Sequence, residues 1–305
     1  MIKNSGKFGR QQTLKKEVVV KGIGTHTGEE VSVSLKPAGV DFGIQFSKNG
    51  SDSVKAAADN IFAFMGCTVV GTQEDNIKTI EHLMATFNAM KIDNCLVEVS
   101  AGEIPIFDGS AKTWVDAILE AGVEVQDKPR KVLRVLKRVE VVDEKTGSKV
   151  SLEPVSDNVE DLELDVIVDF TFSGEQGAEH ILMEESFVKE VAFARTFIER
   201  KTYEQLKSAG LVVGAVKAVD AFFDGKAETI SVGVGIEEGG EILNPEGLRD
   251  EKEFARHKML DSIGDLYSLG YQIIGKYVGY KPGHTLNNLL CKKLMEDSSN
   301  FEIIE

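Results

Sequence analysis

His257, Asp261 and Asp265 stand four residues apart within residues 253–266, a spacing that only a helix turns into one stripe. In the same stretch Met259, Leu260, Ile263 and Leu266 fall around the other side and anchor that side in a core. The rest of the chain has to supply that core. An imidazole and a carboxylate at i and i+4 can both reach one metal ion, as the two histidines of a zinc-protease helix do. Two protein ligands do not hold a catalytic zinc, so a third has to lie elsewhere. An isolated His-x-x-x-Asp is more often a half-buried polar stripe on an ordinary helix.

Composition narrows the function classes. At 305 residues the chain has the length of one large or two medium domains, with ample core. Its formal net charge of −15 argues against a reader of the nucleic-acid backbone, which needs clustered Lys and Arg. An anionic small molecule remains compatible if a few cations gather in a cleft. Cys67, Cys95 and Cys291 are widely spaced, so reduced, buried thiols are expected rather than a disulfide framework. Lys3, Lys7 and Arg10 are followed by no apolar run, so no signal peptide is expected. The most apolar segment, 211–223, is interrupted by Lys217 and Asp220 and is too short to span a bilayer. The expected protein is cytoplasmic, without an integral membrane segment, and a monomer.

Along the chain, residues 13–37 predict two strands around the glycine-rich turn Gly22-Ile23-Gly24-Thr25-His26-Thr27-Gly28. Residues 41–73 are β-rich and irregular. Apolar side chains at 80, 83, 84, 87 and 90 then predict a helix over 79–90. A strand follows at 94–99, then a loop rigidified by Pro105 and Gly109, and Ser110 is the expected N-cap of a helix through Trp114 and Ile118. Gln126-Asp127-Lys128-Pro129 reads as a linker. Beyond it the pattern partly repeats: Thr27-Gly28-x-x-Val31-Ser32 recurs as Thr146-Gly147-x-x-Val150-Ser151, and each half later carries a helix with a histidine near its start, His82 and His257. Two α+β domains of similar βα topology are inferred, 1–127 and 128–305, with chance similarity of two hairpins as the alternative. The second half carries extra material between Thr196 and Leu243: a helix at 199–209, then an apolar strand from Gly210 to Val216. A loop is expected at 235–240. The chain closes with a strand at 271–280, the turn Lys281-Pro282-Gly283-His284 and a helix from about Leu286.

Three of the five histidines, His26, His82, His180, His257 and His284, have other candidate catalytic groups beside them. If His82 is the third ligand, a metal has His82, His257 and Asp261, and a fourth position stays open to water. Such a site lowers the pKa of bound water to about 7. Glu81, the neighbour of His82, can then take that proton, a task worth roughly 10²–10⁴ in rate. Taken alone, Glu81-His82 also describes a carboxylate favouring a helix N-terminus beside a half-buried imidazole. His284 can protonate a leaving amine if a carboxylate, with Asp265 the candidate, holds it charged; on its own it is a turn histidine. Lys258 can offer positive charge to phosphate, and Thr196 can donate to an oxyanion. Each also has a plain reading, as a solvated lysine and as a strand or turn threonine.

Taken together these residues resemble one family. The motifs are Gly24-x-His26-Thr27-Gly28, Thr79-Ile80-Glu81-His82-Leu83, Glu103-Ile104-Pro105-Ile106-x-Asp108-Gly109-Ser110-Ala111, Ala194-Arg195-Thr196-Phe197, Arg256-His257-Lys258-Met259-Leu260-Asp261-x-Ile263-Gly264-Asp265-Leu266 and Gly283-His284-x-Leu286-Asn287-Asn288. In that order, from residue 12 to about 294, they are similar to the UDP-3-O-acyl-N-acetylglucosamine deacetylases. These are zinc amidases of the committed step of lipid A synthesis in Gram-negative bacteria. The resemblance implies one Zn²⁺ on His82, His257 and Asp261. It implies Glu81 as general base, His284 as general acid oriented by Asp265, and Thr196 on the oxyanion. Lys258 is implied at the nucleotide phosphates, and Asp169, Phe170 and Phe197 at the uridine and sugar end. The implied fold packs helices between two sheets with the site at the domain junction. A βαβ insert at about 198–223, containing Gly210, would form an acyl-chain tunnel. Two departures concern the nucleotide end: Thr25 stands where an apolar residue is expected, and Thr171-Phe172-Ser173-Gly174-Glu175 lacks a His-Pro. The residues alone leave two other classes open, a zinc amidase for a different acylated sugar and a non-catalytic nucleotide or lipid binder.

Overall fold

The computed structural model describes residues 7–305; residues 1–6, with Lys3 of the basic N-terminal stretch, lie outside them. The fold is α+β. Among the described residues are seven α-helices: α1 (Glu81–Ala89), α2 (Lys112–Ala121), α3 (Glu184–Glu190), α4 (Arg200–Ser208), α5 (Val213–Phe223), α6 (Glu253–Tyr267) and α7 (His284–Met295). No helix among them is long and apolar enough to cross a membrane.

Two sheets share one strand plan. In the first the order is Val18–Ile23, Glu30–Pro37, Cys95–Val99, Ile44–Lys48, Val54–Lys55. Its central strand pairs antiparallel with Glu30–Pro37 (Val33 opposite Val99) and parallel with Ile44–Lys48 (Ile44 opposite Cys95). In the second, Val139–Asp143 and Ser148–Glu153 form the hairpin, Gln272–Tyr280 is central and Leu162–Phe170 and Gly174–Ile181 follow, while Val132–Val135 and Phe301–Ile304 extend the same sheet from the start of the central strand. Here too the central strand is antiparallel to the hairpin (Val150 opposite Gly279) and parallel to the next strand (Leu162 opposite Gly275). The hairpin turns contain Thr27-Gly28 and Thr146-Gly147, with both glycines left-handed at φ 70° and 73°. In each series a long helix, α1 or α6, immediately precedes the central strand.

Alternation sets which sheet faces turn inward. Val31, Val33 and Leu35 are buried from one strand, and Leu162, Leu164, Val166 and Val168 from another. All of α1 and nearly all of α6 are buried, as expected of helices held between layers rather than on a surface. The two helices pack on one another in a core that runs without a break from one sheet to the other. Gly264 permits this approach: a Cβ there would stand 1.9 Å from the Glu81 carbonyl oxygen and 3.1 Å from the Ala85 nitrogen.

Four local expectations are corrected. The apolar run at 210–216 is no strand; α5 begins at Val213 and continues to Phe223. Its apolar residues recur at 213, 216 and 219, and a short apolar run does not itself distinguish helix from strand. The insert is therefore a strand–helix–helix–strand unit, in which Phe197–Glu199 pairs parallel with Val234–Ile236. That second strand occupies the start of the stretch expected to be loop at 235–240. Residues 126–129 are no linker but part of the strand Val123–Pro129, antiparallel to Arg10–Leu14, so the expected boundary at 127/128 falls inside a strand. The partner is distant in sequence, and no local pattern announces it. Ala111 holds the α2 cap position, while Ser110 Oγ, one residue earlier, accepts the Lys112 N–H at 3.3 Å.

Candidate metal centre

Thr79, at a left-handed φ of 64°, turns the chain into α1, so that Glu81 and His82 occupy its first turn. α6, packed across α1, brings His257 and Asp261 alongside, and α7 opens with His284. Asp261 Oδ1 lies 3.4 Å from His82 Nε2 and 3.5 Å from His257 Nε2. One donor atom from each of the three residues falls within 4.8 Å of the others, and all three side chains are buried. The imidazole rings meet edge to face, centroids 5.1 Å apart.

The protonation chemistry of this set suits a cation. His257 Nδ1 lies 3.2 Å from the Ala194 carbonyl oxygen, which can only accept, so Nδ1 carries the proton and the Nε2 lone pair faces Asp261. Burial pulls the His257 pKa down to about 3 against the pull of Asp261, keeping the ring neutral. Burial pushes the Asp261 carboxyl up, but the Lys258 ammonium and the His284 imidazolium outweigh it and hold the group well below the usual carboxylate range. Its second oxygen accepts a hydrogen bond from Lys258 Nζ at 2.5 Å. Two imidazoles and one ionised carboxylate, with a cleft on the remaining side, are a fitting donor set for a divalent ion with an open position.

Acid–base candidates flank the set. Burial pushes the Glu81 carboxyl above its ordinary value, and its Oε2 accepts the Thr68 backbone N–H at 2.9 Å. His284 Nδ1 sits 2.9 Å and 3.1 Å from the two oxygens of Asp265, while its Nε2 is 3.9 Å from Asp261. Burial disfavours the imidazolium, yet Asp265 and Asp261 outweigh it and raise the His284 pKa to about 9. Asp265, with no exposure, also accepts from Asn287 Nδ2 at 2.8 Å and from the Thr68 hydroxyl. Thr68 thus touches both the Glu81 and the Asp265 carboxyl groups. The sequence reading missed it, because it lies in the ordinary strand Cys67–Gly71 with no motif around it.

These groups open onto a cavity of about 730 Å³, also lined by Thr196, Phe197, Asp169 and Phe170. Thr196 is anchored through its backbone, N–H to the Gly109 oxygen at 2.7 Å and carbonyl to the Val234 N–H at 2.8 Å. The Phe197 ring stands edge-on to His257, centroids 5.9 Å apart, and edge-on to Phe254 at 4.7 Å. Phe170 stacks on Phe172, and Asp169 pairs with Lys281 Nζ at 2.9 Å. One limb of the cavity is apolar, walled by Leu206, Val212, Val216, Val219 and Ile230 of the insert. Gly210 lies apart from the cavity wall, in an exposed turn after α4 at φ 68°, with open space where a Cβ would stand.

Residues 11–296 match the family described as LpxC, UDP-3-O-acyl N-acetylglycosamine deacetylase. A UDP-3-O-acyl-N-acetylglucosamine deacetylase of Pseudomonas entomophila (strain L48) is 38% identical over 298 residues, covering 97% of this chain and 93% of that protein. Proteins of the same name from Acinetobacter baumannii (strain SDF) and Hahella chejuensis (strain KCTC 2396) are 38% and 36% identical. Each of these alignments spans 97% of this chain, and 94% and 93% of the respective relative. With the match running through both sheets and through every residue of the buried His82, His257 and Asp261 set, the chain belongs to the UDP-3-O-acyl N-acetylglycosamine deacetylase family.

Proposed function

We propose that the protein removes the N-acetyl group from UDP-3-O-acyl-N-acetylglucosamine by hydrolysis, releasing acetate, as the committed step of lipid A biosynthesis. The reading makes it a zinc enzyme, working as a monomer in the cytoplasm. The observation that carries it is the buried His82, His257 and Asp261 set, with Glu81 and the His284–Asp265 pair beside it at the mouth of a partly apolar cavity.

His82, His257 and Asp261 would hold the ion. Bound there, Zn²⁺ supplies Lewis acidity, which acidifies water and polarises an amide carbonyl. Glu81 has one oxygen occupied by the Thr68 N–H, leaving the other to take a proton from the attacking water. Its raised pKa makes it a stronger base near neutral pH. Thr196 donates to the oxygen that gains charge as the carbonyl carbon becomes tetrahedral. His284, held as imidazolium by Asp265, gives its Nε2 proton to the departing amine as the C–N bond breaks. Lys258 supplies positive charge for the nucleotide phosphates, and Asp169, Phe170 and Phe197 contact the uridine and sugar. The apolar limb receives the acyl chain, where each buried methylene contributes about 0.8 kcal/mol.

The deciding experiment is acetate release from UDP-3-O-acyl-N-acetylglucosamine, before and after chelation and zinc restoration. Turnover is expected to vanish on chelation and return with about one zinc per chain. A folded, zinc-loaded protein that releases no acetate overturns the substrate assignment.

The rate also has a predictable pH profile. Glu81 must be ionised, so activity falls as pH drops through its raised pKa. His284 must be protonated, so activity falls as pH rises toward about 9. A cation on Asp261 removes part of the charge that supports His284, placing that limb below the metal-free value. Asp265→Asn removes the larger support and is expected to shift the alkaline limb to lower pH, read from kcat/KM profiles. An unmoved limb assigns the acid to another group.

A further inference from the structure

Glu103 is a fully buried carboxylate that forms no ion pair among the described residues. Its Oε1 accepts the His26 N–H at 2.8 Å, and its Oε2 accepts the Thr27 N–H at 3.1 Å and the Thr27 hydroxyl at 3.2 Å. The Thr79 hydroxyl adds a longer contact at 3.4 Å. A buried carboxylate is tolerable only if hydrogen-bond donors satisfy its oxygens, and here one turn supplies three of the four, two from its backbone and one from the Thr27 hydroxyl. On its other side the same turn presents carbonyls to the start of α5. Val213 N–H donates to the His26 oxygen at 2.9 Å, and Ala215 N–H to the Thr25 oxygen at 3.1 Å. These are N–H groups that the first turn of a helix cannot satisfy internally. The seat is close: a Cβ on Gly214 would stand 2.0 Å from the Gly24 oxygen. Beyond this seat α5 contributes Ala215, Val216 and Val219 to the apolar limb of the cavity.

From this chain of contacts, Glu103 to turn to α5 to cavity wall, we infer that Glu103 is a positioning residue that sets the acyl-chain specificity of the enzyme. The inference rests on the deacetylase reading of the site. Glu103 touches neither the reacting atoms nor the acyl chain. It holds the turn in the one form whose carbonyls seat α5, and α5 then fixes the bore of the limb. Its loss therefore falls on the binding of long acyl chains and leaves the chemistry intact.

The test compares Glu103→Gln with the unaltered full chain, zinc-loaded, on two substrates that differ only in having a long or a short 3-O-acyl group. For the long chain, KM is expected to rise about tenfold, the scale of one hydrogen bond to a charged group. The short-chain KM, kcat and zinc content are expected to hold. Gly214→Ala reaches the same seat from the α5 side and is expected to show the same pattern, which keeps the inference testable should Glu103→Gln fail to fold. Calorimetric titration with a free long-chain fatty acid reads the limb without turnover, and both variants are expected to bind it more weakly. Equal losses on both substrates, a fall in zinc content, or unchanged long-chain KM and fatty-acid affinity overturns the inference. If the unaltered protein binds the fatty acid but releases no acetate, the deacetylase reading fails and the fatty-acid arm still decides the role of Glu103.

Discussion

Glu81→Ala is expected to retain about one metal ion per chain and to lose roughly 10²–10⁴ of its turnover. His257→Ala is expected to lose metal affinity as well. The division follows from the geometry. His257 presents a neutral Nε2 to the Asp261 oxygen that also faces His82, and removing it leaves two ligands, too few to hold a catalytic ion. Glu81 stands outside that closest set, with one oxygen on the Thr68 N–H, and its burial is an expense the fold carries for a raised pKa. Metal analysis of dialysed protein, paired with acetate release under saturating substrate, separates the two effects. Near-normal turnover in Glu81→Ala would remove it as the base.

The parts of this site legible in the sequence were those encoded at helical spacing. His257, Asp261 and Asp265 at four-residue intervals, and Glu81-His82 at the start of an apolar-periodic segment, needed only the pitch of a helix to be placed. That α1 and α6 meet depends instead on Gly264, whose missing Cβ reads in sequence as nothing more than a helix glycine. The repeated Thr-Gly turns hinted at two related strand series, and the strand orders carry the same plan. What stayed illegible was set by distant partners. Residues 123–129 form a strand because Arg10–Leu14 lies beside them, and α5 is seated by carbonyls at 25 and 26. Thr68 gains its position from a local hairpin and meets Glu81 nearby, but its contact with Asp265 comes from a helix far along the chain, so no window of sequence shows that it joins the two carboxyl groups.

Glu253→Ala is expected to cost about 3 kcal/mol of stability. Arg195 and Glu253 are both buried, with Nε to Oε1 at 2.8 Å and Nη2 to Oε2 at 3.2 Å. The same carboxylate also accepts the backbone N–H groups of Arg195 at 3.1 Å and Arg249 at 2.7 Å. Truncation leaves the guanidinium only Glu246 at 2.8 Å and the Gly247 oxygen at 2.7 Å, and strands the N–H groups of Arg195 and Arg249, which is why the loss exceeds the worth of the pair itself. A domain holds only about 5–15 kcal/mol in total, so the unfolding midpoint in urea should fall steeply. Asp116→Ala, which breaks the exposed Lys112–Asp116 pair, is the control and should leave that midpoint unmoved. The pair also has a functional consequence. It fastens residues 194–196 to the first turn of α6, and the Ala194 oxygen in that segment holds the His257 proton on Nδ1. Glu253→Ala is therefore expected to weaken metal binding under conditions where the chain is still folded, measured by competition with a chelator of known affinity. A variant as stable as the Asp116→Ala control, or one destabilised with metal affinity intact, would show that the Arg195–Glu253 pair does not organise the centre.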